Sequence, residues 1–361
     1  MDRQRRRVLT WVAGAAVTPL LAPRRAGAAG ASPAAVRIAG GASSAQGQIR
    51  LTGLSHVLAE QGWLEAELTK RGVRLEWFTT AHAATGPMIN DGFANGTVDF
   101  AAYGDLPSAI LNANGVETKL VVPHGLGQGD AFLVVPADSP AKTIDDLKGK
   151  RLAVHRGRPW EIPLLRLLAS RGLSYADFKL FNINPQAGMA ALSSNHVDAL
   201  LTMTDAYLLE DKHVGRIIWS TKDLPLDWKT RTELWAAKSF IDAYPEATQV
   251  VVTAYVKAAY WASQEQNREA VIHVATSNGT PESVVLRSYQ NDHVPWKDRW
   301  SPLFNDLLYD HYRTTVSFAL KQDLIRRPVD VDAWFDKRWV AAALRELHLE
   351  TYWQPVNRKP A

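Results

Sequence analysis

Several loops of this chain carry the side chains best suited to gripping an oxyanion. The densest is His155-Arg156-Gly157-Arg158-Pro159-Trp160-Glu161. Arg156 or Arg158 can clamp a sulfonate, carboxylate or phosphate through two parallel N–H donors, and Trp160 can stack on an organic tail. The same residues also read as surface arginines beside a packed tryptophan. Ser43, Ser44 and Gln46 offer hydroxyl and amide groups within residues 40–47, which read equally as a flexible polar loop. His82, Thr85 and Gly86 precede a helix-like run, whose orphan N–H groups and dipole favour an anion, or which Thr85 simply caps. Tyr103-Gly104-Asp105 and Thr204-Asp205 each follow a short apolar strand and open a helix. Tyr103 supplies an apolar wall with a hydroxyl handle, while both aspartates read first as N-caps. His124, beyond another strand, and Arg231 with Thr232 on the facing wall complete the candidates.

Chemistry beyond binding finds little footing. The chain has no cysteine, which removes disulfides, thiolate metal sites, a Cys nucleophile and a lipid anchor on Cys. Its ten histidines show no HExxH or other metal spacing. No serine occupies a GxSxG elbow, and no GxxxxGK[ST] loop occurs. Gly125-Leu126-Gly127-Gln128-Gly129 lacks the GxGxxG spacing and precedes a strand. The expectation is a site without metal, cofactor or catalytic residue: not an enzyme.

The elements that position these loops are written twice. Gly96-Thr97-Val98-Asp99-Phe100, leading to Asp105, and Asn195-His196-Val197-Asp198-Ala199, leading to Asp205, share one form: a turn, a Val-Asp pair, an apolar strand, then an acid at a helix start. Open α/β sheets bind ligand beyond the carboxyl ends of their strands, so two copies imply two lobes facing a common gap. Strands and helices alternate over 36–123 and again over 151–202. The expected fold is α/β: two doubly wound lobes joined by two hinge strands, near 131–136 and 233–236, with a helical C-terminal segment from Pro245. Lobe 1 should comprise 29–129 and 231–361, and lobe 2 130–230.

Residues 1–28 read as an export signal. Arg5-Arg6-Arg7 precedes a modest apolar run, and Ala26-Gly27-Ala28 closes it; the paired arginines fit the twin-arginine type, an ordinary secretory leader being the alternative. Its removal takes six arginines and one aspartate, leaving 35 basic and 36 acidic side chains, so the net charge falls from +4 to −1. That removes the electrostatic case for nucleic acid. A periplasmic, unanchored monomer is expected.

The chain resembles the periplasmic substrate-binding proteins of ABC importers for nitrate, sulfonate and taurine, the aliphatic-sulfonate binders above all. The resemblance rests on the two Val-Asp segments and, most specifically, on Val134-Val135-Pro136-Ala137-Asp138-Ser139-Pro140 through Asp146-Leu147-Lys148-Gly149-Lys150-Arg151-Leu152-Ala153-Val154. It implies two lobes closing over one small organic anion and docking on a membrane permease. In that family the 155–161 loop is usually small and hydroxyl-rich; two arginines and a tryptophan here favour a larger organic acid over an inorganic anion. Two other readings share the fold. One is an enzyme on a sulfur-containing or heterocyclic small molecule, similar to aromatic sulfinate desulfinases, whose cysteine nucleophile this chain lacks. The other is a ligand sensor for a signalling partner.

Overall fold

The structure, a computed structural model, describes residues 32–45, 48–81, 85–126, 129–276, 279–290 and 294–355, with the backbone alone at 41–45, 48–50, 80, 81 and 85. The leader expected at 1–28, Gln46 and His82 lie outside the described residues.

The chain opens with β1 (Ala35–Ala45), β2 (Gln48–Leu51), α1 (Gly53–Gln61), α2 (Trp63–Thr69), β3 (Arg74–Ala81), α3 (Thr85–Asn95), β4 (Phe100–Gly104), α4 (Asp105–Ala113) and β5 (Thr118–Val122). A second run comprises β6 (Phe132–Pro136), β7 (Arg151–Val154), α5 (Glu161–Ser170), β8 (Lys179–Asn182), α6 (Pro185–Ser193), β9 (Ala199–Thr202), α7 (Asp205–Asp211) and β10 (Gly215–Ser220). After β11 (Thr232–Ala237) come α8 (Lys238–Ala243), α9 (Pro245–Ser263), α10 (Arg268–Thr276), α11 (Glu282–Tyr289), α12 (Asp306–Lys321), α13 (Val331–Trp334) and α14 (Arg338–Glu346).

One sheet is ordered β2-β1-β4-β11-β5, with β3 on β1; the other is ordered β10-β6-β9-β7-β8. Both are mixed rather than parallel. β11 runs antiparallel to β4 and β5, and β6 antiparallel to β9 and β10. The reason is topological: β6 and β11 are the strands by which the chain enters each lobe from the other. They start at the gap, where the parallel strands end, so they run backwards. At the crossing itself, Gly129 and Thr230 exchange both backbone hydrogen bonds, at 3.2 and 2.8 Å. Beside them Lys229 Nζ and Thr221 Oγ1 donate to Asp130 Oδ1 at 2.6 and 2.9 Å, pairing two charges that are almost fully buried.

Both sheets are covered on both faces, as buried α/β strands require. Along β4, Phe100 faces a cluster with Leu58, Val251 and Tyr255, while its neighbour Ala101 faces Ile89, Leu106 and Tyr312. Along β6, Leu133 packs with Leu164 and Val134 with Leu209. The repeated Val-Asp pair is explained by one device used twice. Arg37 in β1 donates its backbone N, Nε and Nη2 to Asp99 and its Nη1 to Gly96 O; Arg151 in β7 donates its backbone N, Nε and Nη2 to Asp198, and Nη2 also to Asn195 O. Each aspartate thus staples the start of its strand's neighbour.

Two expectations change. Residues 40–45 continue β1 instead of forming a loop, with Ser43 opposite Arg50 and Ser44 opposite Ile49 on β2, because partner strands take their backbone groups in turn. The helical segment also does more than cover lobe 1. Val284 of α11 joins the cluster of Phe132 and Leu209, and α12 shares a core with Ile162 and Leu165 of α5. Arg287 of α11 reaches Glu210 and Asp211 of α7 at 2.7 and 3.0 Å.

Candidate functional site

The loop between β7 and α5 is shaped by Glu161, which is fully buried. Its Oε1 accepts from Arg156 Nε and Tyr175 Oη, both at 3.0 Å, and its Oε2 accepts from Gly157 N. Gly157 turns at φ +71°, a conformation a side chain strains. The turn sends Arg158 and Pro159 onto the first lobe. A Cβ on Gly104 would stand 2.2 Å from Pro159 Cγ, and one on Gly86 2.8 Å from Arg158 Nη1, so these glycines are the sockets that receive the loop.

Arg158 is 7% exposed, and its Nε and Nη1 are buried without a hydrogen-bond partner. No ion pair to it is found among the described residues; its guanidinium carbon lies 5.2 Å from the centre of the Trp160 ring. Burial lowers its pKa to about 10, which leaves it cationic at neutral pH. Trp160 Nε1, Tyr103 Oη and Asn90 Oδ1 are likewise buried and unpartnered. A buried cation with unmet donors, beside the first turn of α3, is suited to an oxyanion.

A cavity of about 280 Å³ opens beside this junction, on the carboxyl edge of the first sheet. Its lining includes Ala102, His124, Thr232, Tyr289, Arg299 and Trp300. The His124 ring stacks on Tyr255 with centroids 5.8 Å apart, and burial, then Arg231, push its pKa down to about 3, so it is neutral.

Residues 47–276, well over half the chain, match the model of the family described as NMT1-like. The chain belongs to the NMT1-like family. It is similar to the solved structure described as the periplasmic sulfonate-binding protein SsuA of Methylobacillus flagellatus KT, at 45% identity and TM-score 0.81 over 91% of this chain and 98% of that one. A curated relative from Escherichia coli (strain K12), named an aliphatic sulfonates-binding protein, is 26% identical over 67% of this chain and 71% of its own length. The desulfurization enzyme DSZB shares the fold, at 18% identity and TM-score 0.65 over 87% of this chain and 100% of that one.

On this NMT1-like scaffold the candidates divide. Gly86, Tyr103, Gly104, Arg158 and Trp160 converge at the junction, and His124 and Thr232 meet in the cavity. Three charged candidates are turned inward because each is held by a buried partner. Asp105 is not an N-cap but the first residue of α4; its Oδ1 takes Leu106 N and its Oδ2 meets His311 Nε2 at 2.5 Å. Arg231 donates to Glu233 Oε1 at 2.6 Å and Gly125 O at 2.8 Å. Arg156 belongs to Glu161. Thr204 precedes α7 without a capping bond, and Asp205, the first residue of that helix, accepts from Thr202 Oγ1 at 3.4 Å. Thr85 starts α3, and Ser43 and Ser44 lie in β1. His311, Glu161, Glu233 and the walls Tyr289, Arg299 and Trp300 were not foreseen. Only Glu161 and Glu233 carried a local signal, each an acid within five residues of a candidate arginine.

Proposed function

We propose that this chain is the exported solute-binding component of an ABC importer, capturing a small sulfonate-like organic anion between its lobes and delivering it to a membrane permease. The observation that carries this is Arg158: a buried guanidinium with unmet donors and no counter-ion among the described residues. The fall in its pKa corresponds to about 3 kcal/mol of desolvation that no carboxylate among the described residues offsets. An oxyanion placed there offsets it, and the same anion draws the second lobe's loop onto Gly86 and Gly104. The names of the relatives support the same ligand class. The unmet groups of Arg158 and Trp160 are donors suited to holding an anion, and we read the event as binding without turnover. We also read residues 1–28 as a cleaved twin-arginine leader, the protein as a periplasmic monomer without a lipid anchor, and the lobes as 29–129 with 231–361, and 130–230.

Thermal unfolding with methanesulfonate, benzenesulfonate, acetate and nitrate tests the reading. A ligand at about 100 times its Kd adds about 2.7 kcal/mol. Arg158→Met is expected to abolish that gain for every anion while leaving the ligand-free protein as stable as wild type or more so, because it removes a buried unpaired charge. An Arg158→Met protein that binds these anions as wild type does would overturn the assignment.

A further inference from the structure

Helix α5 is apolar on two sides. Leu164, Leu167 and Leu168 pack inside lobe 2 with Leu133 and Trp160. Ile162 and Leu165, one turn apart on another face, are each only 3% exposed, and the cluster they join includes Leu308, Tyr312 and Val316 of α12. That cover comes from the C-terminal segment of the first lobe, so the two side chains lose it when the lobes part. Apolar burial on this face favours closure with or without a ligand.

The loop just before the helix works the other way. Arg158 Nη1 stands 2.8 Å from the point a Cβ on Gly86 would occupy, and Pro107 Cβ is 3.3 Å from the same point. Gly86 is the second residue of α3 and Pro107 the third of α4. Closure therefore seats a guanidinium against the first turns of two helices, whose polarity repels a cation. The acid in the first turn of α4, Asp105, is taken by His311. Arg158 Nε and Nη1 find no partner in this seat, and parting the lobes returns them to water.

We propose that α5 is a charge-gated clasp: Ile162 and Leu165 pull the lobes together, Arg158 holds them apart, and neutralisation of that one charge by an anion is the signal for closure. This rests on the receptor reading above and adds a second role for Arg158, as the opener of the ligand-free protein. Its sharpest consequence is that a neutral side chain of similar length at position 158 closes the lobes with no ligand present.

The chain has no cysteine, so Lys70→Cys and Lys179→Cys, at exposed positions on lobes 1 and 2, carry one pair of spin labels on the full chain. Double electron–electron resonance reads the distance between them, and calorimetry reads anion binding to the same protein. Methanesulfonate is expected to shorten the wild-type distance. Ligand-free Arg158→Met should already show the shortened distance, with Arg158→Gln in its place should the first variant fold poorly. Arg158→Lys, which keeps the charge, should stay at the ligand-free wild-type distance. Ile162→Ser should weaken methanesulfonate binding by about tenfold or more, because closure then buries less apolar surface. A neutral variant that stays open, a lysine variant that closes, an Ile162→Ser protein of unaltered affinity, or a wild-type distance that bound anion does not change overturns the clasp and leaves the receptor reading standing. No binding of methanesulfonate or benzenesulfonate to wild type removes the receptor reading, and the clasp with it.

Discussion

His124 sits where a titratable group reports on its surroundings. In an unfolded chain its pKa is about 6.5; folded, burial and Arg231 hold it near 3. Between those values the unfolded state binds the extra proton, so stability rises with pH across that window and is lost as pH falls from about 6.5. At pH 5 the loss relative to pH 7 is at most about 2 kcal/mol, water in the cavity reducing it. His124→Gln removes this dependence. Urea unfolding of both proteins at the two pH values measures it, and equal slopes for variant and wild type would show that the ring is well solvated. Asp198 adds a shallower acid dependence of the same sign: Arg151 depresses its pKa, so its contribution is present above about pH 4 and fades below. The choice between Arg156 and Arg158 was not legible from sequence, since two arginines flank one glycine symmetrically. The decision belongs to Glu161, which takes the first and leaves the second unpaired.

Among the elements, β4 and its glycine control closure. Gly104 has φ −71° and ψ 162°, angles open to any residue, so Ala is acceptable to the backbone there. The obstacle is Pro159 from the other lobe, 2.2 Å from the new Cβ. Gly104→Ala should therefore leave each lobe folded, with the melting temperature of the ligand-free protein changed little, yet weaken anion binding by tenfold or more through blocked docking of the loop. Titration calorimetry beside thermal unfolding separates the two effects; unaltered affinity would place the loop elsewhere in the bound form. Much at this scale was readable. The break between α1 and α2 falls at Gly62, in the left-handed conformation that a glycine takes without strain. The start of α6 is also local in origin: Asn184 caps it and Pro185 occupies N1. In α4, Pro107 lies within the first turn, which needs no N–H there. The continuation of β1 through 40–45 has no apolar alternation to read, and the cavity walls from α11 onward have no sequence register with the strands they face.

The whole molecule is held together at more than its two backbone crossings. α11 contributes Tyr289 to the cavity of lobe 1, and two residues earlier Arg287 clasps α7 of lobe 2, its guanidinium carbon 4.0 Å from the Tyr207 ring. Arg287→Ala cuts both ion pairs. Because these are about one-third exposed, the cost in global stability should be only about 1 kcal/mol. The larger effect should be on lobe separation: a greater radius of gyration by small-angle X-ray scattering and faster anion release in stopped flow. Identical scattering and release rates would reduce α11 to a passive cover.

The position of β11 has a consequence for how the protein is made. It is the strand between β4 and β5, yet it leaves the ribosome more than a hundred residues after them. Until Ala237 has been synthesised, the first sheet has a slot at its centre and two unsatisfied borders, which are sticky surfaces. The intervening lobe can mature first as a unit, whereas the earlier-born half must wait for its keystone. Biogenesis is thus inside-out, and a nascent chain stalled before β11 should be the form most in need of a chaperone.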